Sequence, residues 1–125
     1  MTTPENIQVV VIPETFQLES KDVIGVVYFT FDTDYAFPDN KWDDFVVIIL
    51  GWWVDAALAL FTGQEKLVVL YFMDGSFQVN LEGGSSDIWK MECLFRGRDE
   101  IRHTGNINRN VFLTELASAV SITIK

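Results

Sequence analysis

The chain has 125 residues, a formal net charge of −9 at pH 7 and a hydrophobic fraction of 49%. This length suits one domain, spanning residues 1–125, and the apolar content is too high for a disordered chain. A net charge this negative disfavours binding to nucleic acid, because phosphates attract basic surfaces. Cys93 is the only cysteine and no signal peptide is recognisable at the N-terminus, so we expect a cytoplasmic protein.

The charge is distributed unevenly along the chain. Residues 1–60 contain ten acidic and two basic side chains, whereas residues 61–125 contain eight acidic and seven basic ones. Five of the acids lie between Asp32 and Asp44, interleaved with aromatic rings. Such an asymmetry bears on binding partners and association rates, and it indicates a basic partner.

The first segments predict strands followed by a loop. Residues 6–12 and 22–31 are short, apolar and rich in β-branched side chains, which is typical of strands. Residues 32–40 are acidic and contain a proline, so we expect a loop there. Asp39 or Asn40 can accept hydrogen bonds from the free amides at the start of a following helix.

A long apolar helix is predicted over residues 41–62, with Gly63 as its left-handed terminator. Its apolar run approaches the length of a membrane span, but Asp55 lies near the middle, so we expect a buried helix instead. At 100° per residue, one face carries apolar side chains: Trp42, Val46, Ile49, Trp53, Ala56 and Leu60. The opposite stripe is half apolar and either lies beneath a loop or contacts another copy: Asp44, Ile48, Gly51, Asp55 and Leu58.

The second half begins with three predicted strands. Residues 65–73 are apolar on both faces, which favours a central strand. Asp74-Gly75 is a strong hairpin signal and joins this strand to an alternating one over residues 77–81. Residues 87–96 also alternate between apolar and polar side chains, which predicts a third strand.

The last quarter of the chain predicts a loop and a second helix. Residues 97–110 are polar and irregular, whereas residues 110–121 carry apolar side chains at helical spacing with Asn110 as a candidate cap. The element order is ββ-α-βββ-α. It predicts an α+β fold in which two helices pack on an antiparallel sheet of about five strands.

Chemistry-bearing residues are sparse. Asp32 and Asp34 could ligate a divalent cation, although acidic pairs in loops are commonly just solvated. His103 is the only histidine and is expected at the surface, while Cys93 falls in the apolar register of its strand and is expected to be buried and inert. Four arginines between residues 96 and 109 either solvate a loop or pair with the acidic half. We therefore expect no catalytic residues, no cofactor and no resident metal.

The acidic loop is the strongest candidate for function, with solubility as the competing explanation. Its carboxylates lie beside Tyr35, Phe37 and Trp42, and aromatic side chains are common anchors of protein interfaces. Carboxylates also accelerate encounter with a cationic surface. The residues expected to bind a partner are Asp32, Asp34, Tyr35, Asp39, Asp43, Asp44 and Asp55.

Four short motifs resemble a known class of bacterial proteins: Phe37-Pro38, Trp42-x-Asp44-Phe45, Gly51-Trp52-Trp53 and Phe72-Met73-Asp74-Gly75. Together they resemble immunity proteins of polymorphic toxin systems, in particular of contact-dependent growth inhibition. The resemblance implies that the protein neutralises a cognate toxin domain, often a nuclease, by binding it. It supplies no catalytic residues, and it leaves open whether the motif residues serve the fold or the interface.

Three functions follow as hypotheses. The first is an immunity protein that uses its acidic surface to neutralise a basic toxin domain, above all a ribonuclease, without binding nucleic acid or membrane. The second is a small-ligand-binding or accessory domain with a pocket lined by Trp53, Phe72 or Trp89. The third is a metal-assisted hydrolase that uses Asp32 and Asp34. The sequence leaves the oligomeric state open.

Overall fold

A computed structural model describes residues 3–32, 34–84 and 86–124. It confirms an α+β fold with two helices and antiparallel sheets, but the expected single sheet of about five strands is wrong, because the described residues form two four-stranded sheets. The elements in chain order are β1 (Ile7–Glu19), β2 (Asp22–Phe31), β3 (Tyr35–Phe37), β4 (Asp43–Phe45), α1 (Val46–Phe61), β5 (Leu67–Tyr71), β6 (Phe77–Glu82), β7 (Ile88–Phe95), β8 (Glu100–Asn108) and α2 (Arg109–Thr123).

The first sheet is built around β2. β1 pairs along one side of it, from Ile7 opposite Phe31 to Glu19 opposite Asp22. β3 and β4 pair with the other side of β2, one after the other. β1 continues well past Pro13 because the pairing is irregular between Ile12 and Gln17, where a proline removes no ladder hydrogen bond.

The predicted start of α1 at residue 41 is wrong, because the helix begins at Val46. Residues Asp43–Phe45 are extended and pair with Ile24–Val26 of β2, so the edge of the sheet outcompetes the first turns of a helix. Neither Asp39 nor Asn40 caps the helix; the residue before it is Phe45, whose side chain makes no capping bond. The C-terminus is as predicted, with Gly63 at a φ of 81°.

The second sheet has the order β5-β6-β7-β8, with every neighbouring pair antiparallel. The hairpin at Asp74-Gly75 and the alternating strand β7 are confirmed. The expectation that β5 is central is wrong, because it lies at the edge of the sheet, where Leu67 is 57% exposed. Val68 and Leu70 on its other face are buried, and α1 packs against this strand.

The expected loop over residues 97–110 is also wrong, because most of it is β8, paired with β7 along its whole length. A register shift between Cys93 and Leu94 leaves Arg102 as an extra residue in β8. This bulge interrupts the two-residue alternation that would reveal a strand in the sequence. α2 follows at once and is capped by Asn108, not Asn110, since the Asn108 side chain accepts from the amides of Asn110 and Val111.

Both sheets contribute to one hydrophobic core. Phe29 of the first sheet stacks on Trp53 of α1 with ring centroids 4.6 Å apart, and Phe72 meets both rings edge-on. The Trp53 indole donates to the carbonyl of Tyr71 over 2.8 Å. At the other end of the core, the amide of Glu5 donates to the carbonyl of Asn106 over 2.8 Å, which joins the start of β1 to β8.

Candidate functional site

Four of the predicted partner-binding acids are exposed in the segment that runs from the end of β2 to β4. We call these residues, Asp32, Asp34, Asp39 and Asp43, the acidic edge. Asp43 pairs opposite Val26 in β2, and Tyr35, next to Asp34, pairs opposite Phe31. Val26 and Phe31 are five residues apart in β2, which is roughly 17 Å of strand, so Asp43 and Asp34 lie well apart along this sheet instead of in one compact cluster.

Two residues of the acidic edge, Asp32 and Asp39, also accept hydrogen bonds from main-chain amides. Asp32 has a φ of 52°, and its carboxylate accepts from the Asn6 amide over 2.8 Å while its own amide donates to the Asn6 carbonyl. Asp39 accepts from the Asn40 amide over 2.8 Å. Each of these bonds uses one carboxylate oxygen, so the second oxygen is available to a partner.

Asp44 does not belong to the acidic surface, which corrects the expectation that it contacts a partner. Its side chain is only 1% exposed and accepts from three donors: the Trp42 indole at 3.0 Å, the Phe45 amide at 2.7 Å and the Asp74 amide at 3.1 Å. Residues 43–45 are extended and not helical, so Asp44 points inward while Asp43 remains exposed. Asp44 therefore holds the β4 segment against the turn between β5 and β6.

Tyr35 is half-buried and stacks on the ring of His103 with centroids 4.7 Å apart. Burial raises the pKa of its phenol, with the Cys93 sulfur as a smaller contribution in the same direction, so Tyr35 is a neutral donor. His103 is itself half-buried, and its Nε2 lies 2.8 Å from Glu5 Oε1. The free surface histidine expected from the sequence is instead part of the contact between the two sheets, which no local motif signals.

Asp55 is separated from the acidic edge. It is exposed on α1, about 14 Å along the helix from Val46. It lines an open groove of about 320 Å³ between α1 and α2, which we call the helix groove. The other lining residues are Val47, Leu50, Gly51, Val54, Val120, Thr123 and Ile124.

The basic side chains that the structure describes in the second half do not pair with the acidic edge. Within residues 3–32, 34–84 and 86–124, the ion pairs are Arg102–Glu100, His103–Glu5 at 2.8 Å and Arg109–Asp87 at 2.7 Å. Arg96 stacks over the Tyr71 ring at 5.4 Å. The arginines therefore interact within their own half of the chain, and in the described residues no carboxylate of the acidic edge has an ion-pair partner.

The second sheet carries a polar groove that the sequence did not reveal. It has a volume of about 560 Å³ and lies over the outward side chains of β6, β7 and β8, among them Asn80, Glu92 and Thr104. Asn80 accepts from Gln78 over 2.6 Å and donates to Glu92 over 3.1 Å, so these side chains largely satisfy one another.

The other candidates of the sequence are placed as follows. Cys93 is fully buried as predicted, and burial raises the pKa of its thiol, with the Glu5 carboxylate adding to the shift. Trp53, Phe72 and Trp89, the side chains expected to line an aromatic ligand pocket, are buried in the core and line neither of the two grooves. In the part of the chain that the structure describes, no three metal-ligating side chains of the His, Cys, Asp or Glu type come together.

Comparison with known proteins identifies no relative. No protein family, no curated protein and no solved structure gives a significant match to the chain. Among the described residues, no helix has the length and apolarity needed to cross a membrane. The case for a function therefore depends on the acidic edge, the two grooves and the sequence motifs.

Proposed function

We propose that the protein is an immunity protein that binds a cognate bacterial toxin domain with a basic surface, a ribonuclease, and blocks it without catalysis. The observation that carries this proposal is the acidic edge, where four exposed carboxylates have no ion-pair partner among the described residues. A field of this kind raises the rate of encounter with a cationic surface.

A ribonuclease suits this surface because its substrate groove is built for phosphates. Carboxylates can occupy such a groove in place of the phosphate backbone, and Asp34 and Asp43 of the acidic edge are separated by roughly 17 Å along β2. The resemblance of the sequence motifs to immunity proteins is a separate support. Trp53 and Phe72 of those motifs lie in the core, so in this proposal the motifs specify the scaffold and the charged edge contacts the toxin.

Solubility is the competing explanation, because charged side chains at a sheet edge also prevent edge-to-edge aggregation. The first experiment is to co-express the chain with the C-terminal domain encoded immediately upstream of it and to ask whether the two elute as a stoichiometric, inactive complex. Separate elution with the domain still toxic would refute the immunity role.

A charge-reversal pair then tests the acidic edge. We expect Asp34→Lys with Asp43→Lys to lower the association rate about tenfold or more at low salt, because electrostatic steering accelerates association by orders of magnitude. Glu14→Lys with Glu19→Lys is the matched control, since both acids are exposed on β1, across β2 from the acidic edge. Equal losses in the two pairs would show that only net charge matters, and no loss in either would exclude the acidic edge as the interface.

A further inference from the structure

The helix groove exposes apolar side chains that nothing in the described structure covers. Val47 on its α1 side is 52% exposed, and Ile124 on its α2 side is 77% exposed. The volume of about 320 Å³ is enough for a few aliphatic side chains, at the lower end of protein ligand pockets. An opening lined by two helices is the kind of surface into which an amphipathic segment packs its apolar face.

Gly51 is an unfavourable residue for this position if only folding is considered. It lies inside α1, where glycine is less stable than alanine because it loses more conformational freedom on folding. A Cβ atom at residue 51 would meet nothing within 4 Å, so no contact among the residues that the structure describes requires glycine there. Its effect is to lower the floor of the groove and to expose the helix backbone, which lets another chain approach closely.

The carboxylate of Asp55 favours a positively charged group on whatever binds in the helix groove. It lies one turn beyond Gly51 on the same face, is exposed, and has no ion pair within the described ranges. A second copy docking here by two-fold symmetry would bring two Asp55 carboxylates together on molecules that each carry a charge of −9. A cationic occupant is favoured for the same reason.

We propose that the helix groove is a second contact site for the partner protein, which inserts an apolar segment flanked by lysine or arginine. In this arrangement the apolar side chains cover Val47 and Ile124, the backbone lies close to Gly51, and the cation pairs with Asp55. This inference deepens the proposed function, because it gives the basic toxin domain a contact beyond the acidic edge.

The test with the toxin domain uses Gly51→Leu and Asp55→Lys. We expect each to raise the Kd by about tenfold or more, the first by filling the groove and the second by repelling the cation. Ser118→Leu, at an exposed α2 position on the side of the helix away from the groove, and Glu65→Lys are the matched controls and should leave the Kd within about threefold of wild type. The thermal unfolding midpoint of Gly51→Ala should be about 4 °C above that of the wild type, and this result would show that the fold does not need the glycine.

A peptide test is independent of the toxin. A 14-residue peptide with leucines on one helical face and lysines on the other should shift the amide resonances of Gly51 and Val54 in labelled protein. The same peptide with glutamates in place of lysines should not, and Asp55→Lys should abolish the effect of the first. Equal effects of both peptides, or none, would refute the proposal.

The outcomes separate the two proposals. Toxin binding that Gly51→Leu and Asp55→Lys leave unchanged would refute the helix groove and leave the immunity role intact. No toxin binding by the wild type would refute the immunity role, and the peptide test would still decide the groove. A dimer of the wild type in sedimentation that Gly51→Leu dissociates would show that a second copy occupies the groove, contrary to the proposal.

Discussion

We expect the buried carboxylate of Asp44 to contribute more to stability than any other polar side chain near the acidic edge. Its replacement by alanine leaves two main-chain amides, those of Phe45 and Asp74, and the Trp42 indole without their acceptor. A buried donor without a partner costs about 1–3 kcal/mol, and the lower end applies to each of these three bonds because all of them are only partly buried. We therefore expect Asp44→Ala to lower the free energy of unfolding by about 3 kcal/mol.

Asparagine at the same position separates hydrogen bonding from charge. It retains an oxygen where Asp44 Oδ1 accepts from Phe45, and it loses the Oδ2 acceptor of the Trp42 indole. The expected loss for Asp44→Asn is about 1 kcal/mol. Both values can be measured by urea denaturation followed through tryptophan fluorescence, with the slope checked for two-state behaviour.

The adjacent acid provides the control. Asp43 is exposed, so Asp43→Ala should change the free energy of unfolding by no more than about 0.5 kcal/mol. A loss for Asp44→Ala that equals the loss for Asp43→Ala would refute the reasoning. So would an Asn variant that is less stable than the Ala variant, because the remaining oxygen would then contribute nothing.

Two further predictions concern the contact between the sheets. Burial raises the pKa of Cys93 above its ordinary 9.0, so the folded thiol keeps its proton where the unfolded one loses it. Above pH 9 the free energy of unfolding of the wild type should therefore fall as the pH rises, by up to about 1.4 kcal/mol per pH unit more than that of Cys93→Ala. Parallel curves of free energy against pH for the two proteins would contradict this. A Cβ at Gly105 would displace the end of the Glu5 side chain from its 2.8 Å contact with His103, so we expect Gly105→Ala to lower stability by about 1 kcal/mol. Adding Glu5→Ala should relieve part of that loss in a double-mutant cycle, and strictly additive losses would show that the two residues do not touch.

Sequence reasoning was most reliable where the structure is specified locally. The Asp74-Gly75 hairpin and the terminator at Gly63 each depend on a few adjacent residues, and both are confirmed. The alternation of β7 is also confirmed, because Trp89, Met91 and Cys93 on one of its faces are buried in the core.

The predictions from the sequence are wrong where contacts with distant residues determine the secondary structure or the burial of a side chain. Residues 43–45 follow an apolar helical pattern, yet β2 recruits them as a strand, and this pairing turns Asp44 into the core. The bulge at Arg102 interrupts the alternating pattern of β8, so the sequence does not show this strand. His103 contacts Tyr35 and Glu5, which are far away in the sequence. Partner sites share this difficulty, since exposure and unpaired charge become visible only after the chain is folded.

The contacts that join the β1 region to β8 and α2 also bear on when the protein can complete its fold during synthesis. β1 precedes β8 and α2 in the chain and is therefore synthesised before them, yet Glu5, two residues before β1, is bonded to Asn106 of β8, and the Val9 amide donates to Glu115 of α2 over 3.3 Å. Contacts between such distant parts of a chain slow folding, because the intervening loop must close first. α1 can cover part of the first sheet earlier, but the inner face of β1 is covered only when α2 has emerged, so nascent chains that stop before Glu115 should remain bound to chaperones.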